Sequence, residues 1–149
     1  MRLLVLFGAG VLALVVCAVA VVVLVGARLP VAHVASRSGT FTVPKAKLWE
    51  LSLAGFHRIN DGSYAIVEQD APNRLVTEIT NKSLPYGGSW TYELTDDGGG
   101  SRLTIVEHGY VYNPVFRFIS RYVIGHTRSL DAYFADLQRS AGDLAAPKA

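Results

Sequence analysis

Hydrophobic positions follow three regimes along this chain. From Leu3 to Ala27 they are nearly unbroken: the 25 residues between Arg2 and Arg28 carry no charge and are rich in Val, Leu and Ala. At a rise of 1.5 Å per residue such a helix extends about 37 Å, enough to cross a hydrocarbon core of about 30 Å with some tilt. It has no polar face, which an amphipathic helix of a soluble protein would show. It is also roughly twice as long as the apolar core of a secretory signal, about 7–15 residues. Arg28-Leu29-Pro30 is a poor cleavage context, and the small-x-small pattern at Val31-Ala32-His33-Val34-Ala35 is weak. The stretch at about 3–27 therefore reads as one N-terminal transmembrane helix.

Next comes a stretch of alternation punctuated by turns. Ser36 to Val43 reads as a strand stopped by Pro44, and Pro44 to Leu51 as a helix with proline in its first turn, burying Leu48, Trp49 and Leu51. Phe56 to Gly62 reads as irregular, with a turn at Asp61-Gly62. Strands follow at Tyr64–Glu68, Arg74–Thr80, Ser89–Thr95 and Arg102–Tyr112. The turns between them are Ala71-Pro72-Asn73, Pro85-Tyr86-Gly87-Gly88 and the Gly-rich loop Asp96–Ser101. Trp90, Tyr92 and Leu94 share one face of their strand, and Leu103, Ile105 and Glu107 share one face of the next. This is an antiparallel meander.

The third regime has helical spacing. Asn113 is placed to cap a helix opening at Pro114. Val115, Ile119, Tyr122, His126, Leu130, Tyr133 and Leu137 recur at steps of three and four, widened by Phe116, Val123 and Phe134. Gly142 ends the pattern, and Ala145 to Ala149 reads as a loose tail. So long an apolar stripe needs the concave face of the sheet as its partner. The predicted organisation is a membrane helix within residues 1–29, an α+β domain over 30–143 with a curved sheet around a long C-terminal helix, and a tail at 144–149.

Composition narrows the function classes. The 122 residues after Ala27 suit one domain. Without Arg2 they hold 13 basic and 12 acidic residues, a balance with no electrostatic footprint for nucleic acid. No basic run follows the helix to grip anionic lipids. Flanking charges set orientation only weakly: Arg2 and the terminal amine stand against Arg28 and Arg37, and the very short N-terminal flank favours a cytoplasmic N-terminus. The single cysteine, Cys17, lies within the apolar stretch, so no disulfide can form within the chain.

Three segments resemble the SRPBCC/START-like superfamily of polyketide cyclases and lipid-transport domains, the helix-grip fold. They are Arg74-Leu75-Val76-Thr77, then Leu84-Pro85-Tyr86-Gly87-Gly88-Ser89-Trp90-Thr91-Tyr92-Glu93-Leu94, and Gly99-Gly100-Ser101-Arg102-Leu103-Thr104-Ile105 through Tyr112-Asn113-Pro114-Val115-Phe116-Arg117-Phe118. The resemblance spans roughly Val34 to Arg139 and points to bacterial members carrying an N-terminal membrane helix, hence a single-pass protein of the bacterial plasma membrane. It implies a START/Bet v 1-like sheet around the long helix, with a cavity between them for an apolar small molecule such as a lipid, sterol or polyketide. Family members usually carry two short helices and two or more further strands before the strand at Tyr64. Here only Ser52 to Asp61 fill that gap, so the sheet is expected to be short by one or two strands.

Residues expected to line the cavity are Trp90, Tyr92, Leu103, Ile105, Tyr122, His126 and Leu130, with packing in a solid core as the competing expectation. Glu107 shares the inner face with Leu103 and Ile105. A carboxylate there is costly unless paired, and burial tends to raise its pKa, as in general acids. Structural pairing with Arg102, Arg117 or Arg121 is the competing role. Glu107 and His126 are the weak catalytic candidates of a cyclase- or dehydratase-type enzyme. His33, His57, His108 and His126 lack metal spacing, no cofactor is implied, and Gly98-Gly99-Gly100 leads into a strand rather than a phosphate-binding helix. The reading preferred is a non-enzymatic, membrane-anchored binding module. A degenerate domain pairing with another chain, or with its own copy through an exposed sheet edge, is the third expectation.

Overall fold

The computed structural model describes residues 2–59 and 62–145, with side chains from 7 to 142, so the expected turn at Asp61 and most of the expected tail lie outside the described residues. The apolar stretch forms helix α1, Arg2–Arg28. Its portion Phe7–Arg28 is long and apolar enough to cross a membrane, and its most apolar window is not buried inside the protein.

Five antiparallel strands follow: β1 (Ala32–Phe41), β2 (Tyr64–Asp70), β3 (Arg74–Ile79), β4 (Tyr86–Asp97) and β5 (Gly100–Val111), in spatial order β1-β5-β4-β3-β2. The order of the meander is as the alternation predicts, but its last hairpin is longer: Tyr86-Gly87-Gly88, expected as a turn, pair with β5, and of the expected loop Asp96 and Asp97 pair with Ser101 and Gly100. The last strand returns the chain to the first. Strand β1 begins earlier than its own pattern indicates. Residues 32–35 are recruited by pairing, with Ala32 opposite Tyr110 and Ala35 opposite Glu107. Register keeps Trp90 opposite Glu107, Tyr92 opposite Ile105 and Leu94 opposite Leu103, all on the inner face.

Helix α2, Lys45–Ile59, runs through the segment expected to be irregular from Phe56. Its buried face of Leu48, Trp49, Ser52, Gly55 and Phe56 packs against the C-terminal helix, and this packing extends a helix whose sequence contains Gly55. The absent side chain there accommodates the ring of Tyr133.

The expected single long helix is broken. It consists of α3 (Pro114–Ile119), a π turn at Ser120–Ile124, and α4 (Arg128–Ala145). Asn113 caps the first piece as predicted, its Oδ1 accepting from the amide of Val115 at 2.8 Å. The break has two causes in the backbone. The amide of Gly125 bonds back five residues to the carbonyl of Ser120, and Gly125 adopts φ +83°, which a residue with a β-carbon rarely tolerates. A new helix then opens, Asp131 donating to the carbonyl of Thr127. It runs past Gly142, the expected terminus, to Ala145. Of these pieces it is α4 that enters the core, through Leu130, Tyr133, Phe134, Leu137 and Ala141. The first piece turns away to pack on α1, where Gly26 lies directly against the carbonyl of Pro114 and Arg117 Nη1 donates to the carbonyl of Leu29 at 2.6 Å. Tyr122, Val123 and Ile124 consequently lie exposed.

Candidate functional site: an apolar cavity with a polar end

At one end of the sheet the inner face is filled: Leu94, Leu103 and Ile105 are buried against Leu130, Phe134 and Leu137. At the other end the corresponding positions on β4 and β5 are Gly88 and Gly109, which supply no bulk. Helix α4 does not reach over them, because the chain has already turned at Gly125. The result is a cavity of about 730 Å³. Its walls are Trp90 and Tyr92 on the sheet, Phe56 and Ile59 from α2, and Ile119 and Ile124 from the broken helix. Tyr86, Tyr110 and Phe116 line it while about half exposed, so the mouth carries apolar surface open to solvent.

The floor is an aromatic cluster. Tyr133 stands edge-on to Trp90 and Tyr92, with ring centroids 5.7 and 5.8 Å away, a favoured geometry for such rings. Its hydroxyl donates to the carbonyl of Ser52 at 2.7 Å. The Tyr92 hydroxyl is buried beside Thr77 and Tyr133 without a well-aligned hydrogen bond. Burial pushes both phenols far above the ordinary tyrosine range, and for Tyr133 the neighbouring Tyr92 adds to it.

The opposite end is polar. His33 Nε2 donates to Glu107 Oε1 across 3.3 Å, and the two side chains are only 15% and 16% exposed. The other carboxylate oxygen, Oε2, is buried without a partner. The His33 ring stacks on that of His126, with centroids 4.1 Å apart and planes 22° from parallel. His126 Nδ1 in turn lies 3.2 Å from the hydroxyl of Ser120 on the π turn. Partial burial lowers the His126 pKa below its ordinary value, and the nearby His33 and Arg121 lower it further. Both histidines also border a second cleft of about 310 Å³ beside Leu29 and Pro30, lined by Arg117 and Arg121. The stacked pair thus stands between the main cavity and the end of α1.

Of the residues expected to line a cavity, Trp90, Tyr92, Glu107 and His126 lie on its wall. Leu103, Ile105 and Leu130 do not, being fully buried in the packed half of the core that α4 fills. Tyr122 does not either: the π turn carries it outward, where it is 60% exposed and packs on Phe118 at 5.1 Å. Of the arginines considered for Glu107, Arg102 pairs with Asp97, Arg117 donates to the backbone of Leu29 and Arg121 lines the second cleft. The partner is His33, which sequence reasoning missed. Its segment has no alternation to mark a face, and only the pairing of β1 with β5 brings it opposite Gly109. Among the described residues no group of three or more His, Cys, Asp and Glu side chains is arranged to hold a metal ion.

No protein-family model matches this sequence, and no curated protein matches it. Solved structures do. A norcoclaurine synthase point mutant from Thalictrum flavum, in complex with a transition-state analogue, superimposes with a TM-score of 0.57 at 11% identity, over 78% of this chain and 98% of that one. Protein MLL2253 from Mesorhizobium loti gives 0.56 at 12% identity, covering 77% and 100%. CalU16 from Micromonospora echinospora gives 0.54 at 14% identity, covering 73% and 74%. At such identities the likeness establishes the fold alone: the chain has a helix-grip α+β fold of the SRPBCC/Bet v 1-like kind, built on five strands.

Proposed function

We propose that this protein is a membrane-tethered binding module for an apolar small molecule, acting without catalysis. The observation that carries the reading is the cavity of about 730 Å³ with predominantly aromatic and aliphatic walls, within the usual size of small-molecule sites, about 300–1,000 Å³. A synthase of the same fold, solved in complex with a transition-state analogue, is in keeping with a ligand-binding role. The tether rests on α1, whose apolar length suits a bilayer. It rests also on contact: the last turn of α1 packs against α3, and residues of α3 and the π turn wall the cavity. A ligand dissolved in the membrane would thus meet the cavity at the surface where it partitions.

Two measurements test the two halves. Membranes from expressing cells, washed with carbonate, should retain a protein whose intact mass includes residues 2–28; a mass lacking them overturns the tether. The full chain in phosphatidylcholine nanodiscs should bind the neutral fluorophore 1-aminoanthracene saturably at one site, above the partitioning into empty discs. Binding that matches empty discs at every concentration overturns the cavity's role.

A further inference from the structure

The polar end of the cavity specifies the ligand's head group. Glu107 presents two carboxylate oxygens, of which Oε1 accepts from His33 and Oε2 is buried without a partner. A buried carboxylate oxygen left unpaired is costly, and a hydrogen-bond donor brought to it recovers that cost. The group is also held in place. His33 is pinned between Gly109, where its ring occupies the space a β-carbon would need, and the face of His126. His126 is itself tied to Ser120. A carboxylate so fixed gives up little freedom on binding.

We infer that Glu107, positioned by His33, receives the hydrogen-bond-donating head of an amphiphile, a hydroxyl or amine on an apolar body. This rests on the binding function proposed above and narrows it. A carboxylic acid is disfavoured, since its charge would meet that of Glu107. The other acidic residue on the wall, Asp136, is already engaged by Arg58 at 2.6 Å and Arg139 at 3.2 Å. Arg128 also lines the cavity and is the competing seat for an anionic head.

The test uses the full chain in phosphatidylcholine nanodiscs, titrated calorimetrically with 2-naphthol, 2-methoxynaphthalene and 2-naphthoate, with empty discs subtracted. Wild type should bind 2-naphthol about tenfold tighter than 2-methoxynaphthalene, the scale of a hydrogen bond to a charged group. Glu107→Met should bring that ratio to near one, with an unchanged circular dichroism spectrum certifying that the variant is folded. Should Glu107→Met fail to fold, Glu107→Gln, which keeps the side chain's shape but removes its charge, should still lower the ratio. A wild-type ratio near one, a ratio that survives both substitutions, or 2-naphthoate binding tighter than 2-naphthol overturns the inference while leaving the binding function standing. Failure of all three compounds to bind removes the binding function itself, and this inference with it.

Discussion

The imidazole of His33 lies over Gly109 so closely that a β-carbon at position 109 would overlap the ring. The two residues are cross-strand partners of β1 and β5. The missing side chain is what lets His33 lean onto the sheet and reach Glu107. Gly109→Ala should therefore displace the ring, costing about 1–3 kcal/mol in a denaturation experiment, as overpacked sites do. With His33 moved away, His126 loses a neighbour that lowers its pKa. A histidine NMR titration should show the His126 midpoint rising toward its ordinary value in this variant, and an unmoved midpoint would mean that the stack survives.

Acidification should weaken the domain through His126. Its folded pKa lies below the ordinary value of 6.5, mainly by desolvation, with His33 and Arg121 adding to it. Below about pH 6.5 the unfolded chain takes up a proton that the folded one resists, so stability is full above that pH and falls as pH drops through the folded value. Urea midpoints at pH 7.5 and pH 5.0 should differ more in wild type than in His126→Gln. Equal differences would remove His126 as the source.

The alkaline limb follows from the tyrosines. Burial raises the pKa of Tyr92 and Tyr133 far above 10.0. Unfolded phenols lose protons from about pH 10 upward while these two keep theirs in the fold, so stability is present below that pH and falls above it. A spectrophotometric titration should show that, of the seven tyrosines, these two ionise only on unfolding. Tyr133→Phe, which removes the bond to Ser52, should cost about 0.5–1.5 kcal/mol.

The broken helix separates residues that a continuous one would treat alike. Leu137 is fully buried and Tyr122 is exposed, though both belong to the same apolar stripe in sequence. Leu137→Ala should cost about 2–5 kcal/mol and Tyr122→Ser no more than about 0.5 kcal/mol, read from urea unfolding at constant pH. Comparable losses would restore the continuous helix.

Local pattern made much of this architecture readable, and the limits have physical origins. The meander strands follow from period-two alternation, and the register placing Glu107 on the inner face follows from counting along β5 from Leu103. The cap at Asn113 follows from residue chemistry. The break at Gly125 does not, because a lone glycine in a helical pattern is usually tolerated; here the packing of α3 on α1 accompanies its φ of +83°. His33 was invisible for a similar reason. Its role depends on a partner strand far along the chain and on the emptiness of Gly109, neither of which leaves a mark in its own neighbourhood. Leu103, Ile105 and Leu130 show the converse: facing inward was legible, but which half of the inner face is filled depends on where the helix breaks.

On this reading the cavity holds one apolar molecule. Native mass spectrometry of the full chain released from nanodiscs tests it, comparing wild type with Ala132→Trp, which projects an indole from α4 into the cavity wall. Wild type should carry a one-to-one adduct of lipid-like mass, lost in Ala132→Trp. A bare wild-type chain, or an adduct that persists with the indole in place, would contradict it.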